Sequence, residues 1–372
     1  MGDVLNVPGG VGFDCIPSPT RAIMTNSIQC LESFCSLQSV KRLIEIARPE
    51  YIFLDSGGYT LFKKEQAHER VFFDRTRPVF VPGGFNLSDI HPFLAAKKIG
   101  PTDMIQLDSP VADVSDPGER QFLFMKAAYY NIENAKEMAR LKGIYLPNVR
   151  LFGALQVYNH DQFDTIMKHL EGVQFDGWSI PTRALTWNEI LSFIIRFKGM
   201  GCRRVHILGS YALDMILIAT FSAQHLIEDV VSFDSTSWRF YADLEFFMIP
   251  IDLRAVRLRP EIQWPGSILN FRCVCQNCGG LFVGEIRMMP YSEKRELLAL
   301  HNYWCVDSAT KKFYTLAADP KNLGKYLLRN SNRRKLIERI CKVMNIILSV
   351  KDRLNEPKFN RSFATYIYDL YK

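Results

Sequence analysis

Six short apolar runs recur along the first two-thirds of the chain: YIFLD (51–55), MIQLD (104–108), VRLFGALQ (149–156), GWSI (177–180), RRVHILG (203–209) and DVVSFD (229–234). Each is bounded by Gly, Pro or polar residues. Short, mainly apolar runs bounded in this way read as strands buried on both faces, as in a parallel sheet. Between them apolar residues recur at helical spacing. Asn86-Leu87-Ser88 can cap a helix reaching about Lys98, and further helices are predicted over 118–142, 161–170, 187–197 and 211–225. Alternating strands and helices imply a parallel sheet, open or closed into a barrel. Asp55, Asp108, Gln156, Ser179, Gly209 and Asp234 each fall at or next to the carboxyl end of a predicted strand. In a barrel these ends meet at one face, whereas an open sheet gathers only some of them at its switch point. The expected fold class is therefore α/β, a (β/α)8 TIM barrel. VFFDRTRPVFVPG (71–83) reads as a further strand or a hairpin, and the first forty residues show no clear pattern.

After about Gly266 the texture changes. Residues 270–283 are rich in Cys and Gly, and helical patterns follow over 292–303 and 320–354. The expected organisation is a catalytic barrel over 1–265, an inserted zinc-binding subdomain over 266–310, and C-terminal basic helices over 311–372 that pack back on the barrel. Cys273, Cys275 and Cys278 place three thiols within six residues. With His301, or with Cys305 one helical turn further on, they suit a closed, structural Zn2+ site with no open position for water.

At 48% hydrophobic and 23% charged, the composition fits a globular protein and excludes extensive disorder. No run of about eighteen uncharged apolar residues suggests a membrane span, and the first residues do not read as a secretion signal. Nine cysteines cannot all pair, which suits a reducing, cytoplasmic compartment (the host cytoplasm if the gene is a phage's). The net charge of +7 permits a polyanionic partner without requiring one. Its distribution says more. Residues 321–342 carry Lys321, Lys325, Arg329, Arg333, Arg334, Lys335, Arg339 and Lys342 against Glu338, and Arg254, Arg257 and Arg259 form a second cluster. A basic helix is the usual footprint of a phosphate-binding surface, although it also describes a solvated helix face.

Three stretches precede the thiols: Asp55-Ser56-Gly57-Gly58-Tyr59, Gln106-Leu107-Asp108-Ser109-Pro110 and Ser232-Phe233-Asp234-Ser235. Taken singly, the first two also fit helix-capping turns, and Asp234 after an apolar run equally fits a cap on a buried loop. Together, in this order and ahead of CxCxxC and a His, they resemble the tRNA-guanine transglycosylase family, zinc-containing (β/α)8 barrels, over roughly residues 50–310. The resemblance implies that Asp234 is the nucleophile, attacking the anomeric carbon and holding the polynucleotide as an ester. It makes Asp55 the second catalytic carboxylate, handling protons on the departing and entering bases. Asp108 and Gln156 would bind the polar edge of the base, Tyr59 would stack on it, and Gly57 and Gly58 would let backbone approach it. Ser56, Ser179 and Gly209 belong to the same expected substrate site. Nothing resembling a P-loop or a dinucleotide fingerprint is present, and the ester chemistry needs neither cofactor.

Two departures bear on the substrate. Where the tRNA enzymes carry a Gly-Gly-Leu loop, this chain has Pro181-Thr182-Arg183, and the Arg-Asn-Gly element that follows their nucleophile is missing from Asp234-Ser-Thr-Ser-Trp238-Arg239-Phe240. Relatives that insert 7-deazaguanines into DNA, in phages and bacterial DNA-modification clusters, differ from the tRNA enzymes in this way. The expected activity is thus that of a pentosyltransferase exchanging guanine in DNA for a free 7-deazaguanine base such as preQ0. Trp238, Arg239 or Phe240 would fill the gap left by a flipped guanine, and Lys325, Arg329, Arg333 and Arg334 would hold phosphates. The alternatives are a tRNA enzyme of the queuosine or archaeosine type, and a non-catalytic nucleic-acid-binding subunit of the same family. A homodimer or partner modification proteins are compatible with either activity.

Overall fold

The six apolar runs all form parallel strands, joined by two more from the N-terminal region. They are β1 (Asp3–Pro8), β2 (Ala22–Asn26), β3 (Tyr51–Asp55), β4 (Asp103–Ile105), β5 (Arg150–Ala154), β6 (Gly177–Pro181), β7 (Arg204–Leu208) and β8 (Val230–Ser235). The computed structural model describes residues 2–8, 21–27, 34–56, 91–110, 116–250 and 252–371. The sheet runs in the order β1-β8-β7-β6-β5-β4-β3-β2, and β1 and β2 lie against one another at the remaining seam. The result is a nearly closed barrel. Around it stand α1 (Phe34–Ala47), α2 (His91–Ile99), α3 (Pro117–Tyr145), α4 (His160–His169), α5 (Trp187–Gly199) and α6 (Leu213–His225), so the chain is a (β/α)8 barrel. The stretch 71–83 and the start of the helix expected at Asn86 lie outside the described residues.

Side-chain alternation along the strands sorts the core into an inside and an outside. Leu5, Met24, Phe53, Ile105, Phe152 and Val230 fill the barrel interior, with the Phe53 and Phe152 rings edge to face at 5.9 Å. Val205, Ile207, Val231 and Phe233 point outward and join the apolar faces of the helices. Local chemistry fixes the helix starts. Asp116 accepts the Glu119 N–H at 2.7 Å with Pro117 following it. Asn159 accepts the Gln162 N–H at 2.9 Å, and Thr186 with Glu189 makes a capping box.

Beyond β8 come α7 (Ser237–Asp243), the antiparallel pair β9 (Phe246–Met248) and β10 (Ala255–Arg257), then α8 (Gly266–Leu269), α9 (Val283–Met288) and α10 (Tyr291–Ala317). The boundary expected at residue 310 falls inside α10, a single 27-residue helix that packs on α7, β9 and α6. The helical pattern expected over 320–354 divides into α11 (Pro320–Asn330), α12 (Arg334–Ser349) and a 3-10 turn, and α13 (Pro357–Asp369) follows. α13 docks on α5 through Asn360, whose Nδ2 donates to the Ile195 carbonyl at 2.7 Å. Gly199 makes room, since a Cβ there would lie 2.5 Å from the Asn360 amide. Among the described residues no helix is long and apolar enough to cross a membrane.

Candidate active site and metal centre

Strand register brings the expected carboxylates to one mouth of the barrel. Asp55 ends β3 opposite Asn26 of β2, and Asn26 Nδ2 donates to Asp55 Oδ2 at 2.9 Å. The next residue, Ser56, is fully buried and donates through Oγ to Asp108 Oδ1 at 3.2 Å. Gln156, beyond β5, donates its amide to the other oxygen of the same carboxylate. Asp108 is buried, and burial pushes its carboxyl up to about 6 against the opposing pull of the Gln156 and Ser56 hydrogen bonds. A carboxylate held in this way has remaining acceptor capacity for two N–H groups of a purine edge. Gly57, Gly58 and Tyr59 lie outside the described residues. Ser179 faces into the barrel, fully buried, where its hydroxyl donates to the Gly153 carbonyl at 3.1 Å.

Asp234 lies near the end of β8, opposite Val7 of β1, and only 9% of it is exposed. Its Oδ1 accepts two hydrogen bonds, from the Gly209 N–H at 2.9 Å and from His206 Nε2 at 3.2 Å. Gly209 sits at φ 85°, a left-handed conformation that aims this N–H at the carboxylate and that a side chain would strain. On the other side of the imidazole, His206 Nδ1 meets Ser232 Oγ at 2.8 Å. A carboxylate can only accept, so Nε2 carries the proton, and in the singly protonated ring Ser232 donates to Nδ1. His206 is fully buried and stacks on Phe53 with ring centroids 5.1 Å apart. It is not among the site residues expected from the sequence. The signal for it is the alternation of RVHIL: with Val205 and Ile207 outward, His206 must point inward.

The expected nucleic-acid contacts separate. Trp238, on α7, is 3% exposed and packs edge to face on Tyr303 at 5.8 Å, in an apolar cluster that contains the three thiols. It therefore cannot enter a gap in a duplex, a correction forced by its place on the buried face of α7. Arg239 is half-buried, and Phe240 is 56% exposed. Lys325, Arg329, Arg333 and Arg334 are all exposed. Two relationships orient them. His225 at the end of α6 bonds the Ala317 carbonyl at 2.8 Å, so α11 starts at the far end of α6. Arg333 acts electrostatically on Asp214, in the first turn of α6, and Lys351 acts on His225. α12 thus runs alongside α6 in the same direction, and Arg333 and Arg334 come to the rim that carries Gly209 and Asp234.

Cys273, Cys275, Cys278 and His301 are buried with their ligand atoms within 4.8 Å of one another. His301 Nδ1 lies 3.3, 3.5 and 3.5 Å from the three sulfurs in that order. Its Nε2 donates to the Met248 carbonyl at 2.8 Å, which leaves the Nδ1 lone pair facing the thiols. The Cys278 N–H points to Cys275 Sγ at 3.3 Å, and Gly279 and Gly280, at φ 58° and 84°, turn the chain away. Phe247 stacks on the imidazole at 3.9 Å. Cys305 lies on the opposite side, 3.3 Å from Nε2, and its thiol meets the Met248 carbonyl. It therefore stands outside the ligand set. Three thiols and one imidazole, all buried and mutually facing, can hold a metal ion.

No family model matches the chain. Over 183 residues it is 26% identical to a tRNA-guanine(15) transglycosylase of Pyrococcus furiosus, a match covering 47% of this chain and 28% of that protein. The chain thus spans under a third of the length of the curated relative it matches, and its likeness to a tRNA-guanine transglycosylase is a distant one.

Proposed function

We propose that this protein is a guanine transglycosylase that replaces guanine in DNA with a 7-deazaguanine. The observation that carries the proposal is the anchored carboxylate of Asp234 at the same barrel mouth as Asp55 and the Asp108–Gln156–Ser56 group. Asp108 and Gln156 grip the polar edge of the base. Asp234 attacks C1′ of the sugar; the C1′–O bond forms as C1′–N9 breaks, and the electron pair leaves with guanine. Asp55 supplies the proton the departing base takes up. The incoming base then attacks C1′ through N9, returns the electron pair to Asp234, and loses its N9 proton to Asp55. No nucleotide or redox cofactor enters this cycle. Zn2+ on Cys273, Cys275, Cys278 and His301 is structural, its soft thiolates matched to the ion and its buried position closed to substrate.

DNA is favoured over tRNA because Pro181-Thr182-Arg183 removes a backbone donor where the tRNA enzymes read the base and the Arg-Asn-Gly element is missing. The basic rim at Arg333 and Arg334 is placed to hold phosphates, with Lys325 and Arg329 on the ascending helix behind it. Phe240 and Arg239 are the groups left to fill a vacated stack. The named activity of the Pyrococcus furiosus relative favours the second reading, a tRNA enzyme. A non-catalytic subunit is disfavoured because both Asp55 and Asp234 are retained. Incubation with labelled guanine and either duplex DNA or tRNA tests the choice. Label entering DNA is expected, and label entering tRNA alone would sink the DNA reading.

A further inference from the structure

We infer that His206 is a positioning residue that holds Oδ1 of Asp234, commits Oδ2 to bond formation with the sugar, and sets how readily the ester is released. This rests on the transglycosylase reading above. Among the described residues, the donors to Asp234 are the Gly209 N–H and His206 Nε2, and both go to Oδ1. An oxygen with two donors is stabilised as an anion and fixed in place, whereas Oδ2 keeps its lone pairs for the anomeric carbon. Ser232, bonded to Nδ1 from β8 itself, holds the ring in the orientation that presents Nε2 to Asp234.

A Ser–His–Asp chain invites a different reading, a hydrolase with Ser232 as nucleophile. Burial rules against it. Ser232 and His206 are fully enclosed in the barrel, and Asp234 stands at the outer end of the chain. The serine supports the histidine, and the aspartate faces the mouth.

The hydrogen bonds have a consequence for the two chemical steps. Donors to a carboxylate are roughly twice as strong as donors to a neutral carbonyl. In the free enzyme Asp234 is a carboxylate, and in the covalent intermediate Oδ1 is an ester carbonyl. His206 and Gly209 therefore stabilise the free enzyme more than the adduct, and they make Asp234 a better leaving group when the incoming base attacks C1′. Without the His206 donor, the ester should accumulate.

The test compares His206→Gln with His206→Phe in the full-length protein. A glutamine places its amide nitrogen close to the position of Nε2 and can still donate; phenylalanine fills the space with no donor. With guanine-containing nucleic acid, DNA and tRNA in separate arms, denaturation-resistant adduct is measured beside base exchange. In His206→Phe the ratio of adduct to exchange rate is expected to rise about five- to tenfold, and in His206→Gln to stay within about twofold. Adduct and exchange falling together in His206→Phe, or equal ratios in the two variants, would overturn the assignment and leave the transglycosylase reading intact. Absence of adduct in the unsubstituted protein with either nucleic acid would remove that reading and this one with it. An independent check needs no activity. Nitrogen NMR of the ring, assigned by difference against His206→Gln, should find the proton on Nε2; a proton on Nδ1 alone would exclude donation to Asp234.

Discussion

Asn302 donates through Nδ2 to the Trp238 carbonyl at 3.2 Å, which fastens the helix that follows Asp234 to the helix that carries His301. The same amide reaches the Phe246 carbonyl at 3.0 Å and accepts the Met248 N–H at 2.9 Å. Met248 in turn accepts from His301 Nε2. The candidate metal centre and the turn after the proposed nucleophile are thus two ends of one buried hydrogen-bond network.

Removing the metal should therefore be felt at the barrel mouth. Chelation, or Cys278→Ser, is expected to release the amides of residues 237–248 to hydrogen exchange while β3 to β7 stay protected. Asn302→Ala should reproduce that loss of protection with the metal still bound. It removes a buried group with three backbone partners, and its cost should be about 2–4 kcal/mol. Metal content by mass spectrometry, read beside the exchange pattern, separates the two causes. Uniform loss of protection across the barrel would mean that the network does not act locally.

Asp234→Asn keeps the shape of the carboxylate and removes the anionic nucleophile. Base exchange should fall by about a thousandfold or more, and denaturation-resistant adduct should vanish. Melting temperature should change little, because an amide oxygen can still accept from Gly209 and His206. Asp55→Asn should slow base release instead, with nucleic-acid affinity preserved.

Asp108 couples function to pH and to stability. Its carboxyl is raised from 3.8 to about 6 in the fold, by burial first. Gripping a purine edge by two N–H groups requires the carboxylate, so affinity for free guanine should fall as pH drops through about 6, approaching tenfold per pH unit below it. The stability effect has the opposite sense. A carboxyl whose folded value exceeds its unfolded one opposes folding once ionised. The cost begins near 3.8 and is complete above about 6. Asp108→Asn should consequently raise stability at pH 7 by about 1–3 kcal/mol, allowing for imperfect amide hydrogen bonds, while abolishing guanine binding. Thermal melts at pH 5 and pH 8 check the sign: the gain should be larger at pH 8.

Much of this arrangement is legible in the amino-acid sequence. The strands that end at or lead into Asp55, Asp108, Gln156 and Asp234 stand out because both their faces are covered, and a mainly apolar run closed by a polar residue is a strong pattern. β1 (DVLNVP) carries Asn6 within it, and β2 (AIMTN) ends on the polar pair Thr25 and Asn26. Asn26 points inward to hold Asp55, and with Thr25 also polar only Ala22, Ile23 and Met24 are left to mark the strand. His206 is legible by parity but hidden among the apolar residues of its own strand. Trp238 misleads for the opposite reason: the linear sequence places it three residues from Ser235, in a stretch that reads as a substrate loop, whereas α7 turns that side chain down onto the thiol cluster.

The basic rim makes a quantitative claim. Arg333 and Arg334 stand at the start of α12, whose first turn holds no acidic residue. Positive charge there opposes the helix macrodipole, so these arginines gain little from the fold and a great deal from an arriving phosphate, which would meet both guanidinium groups and helix N–H groups together. Each phosphate neutralised on duplex DNA steepens the dependence of log affinity on log salt by about 0.9. Replacing Arg333 and Arg334 together by alanine should therefore flatten that slope by about 1.8 and weaken binding at low salt, with free guanine bound as before. Lys335→Ala, on the same turn, gives the comparison. Filter binding of a catalytically silent Asp234→Asn background across a salt series reads the slopes directly, and an unchanged slope in the double variant would place the phosphate path elsewhere on the barrel mouth.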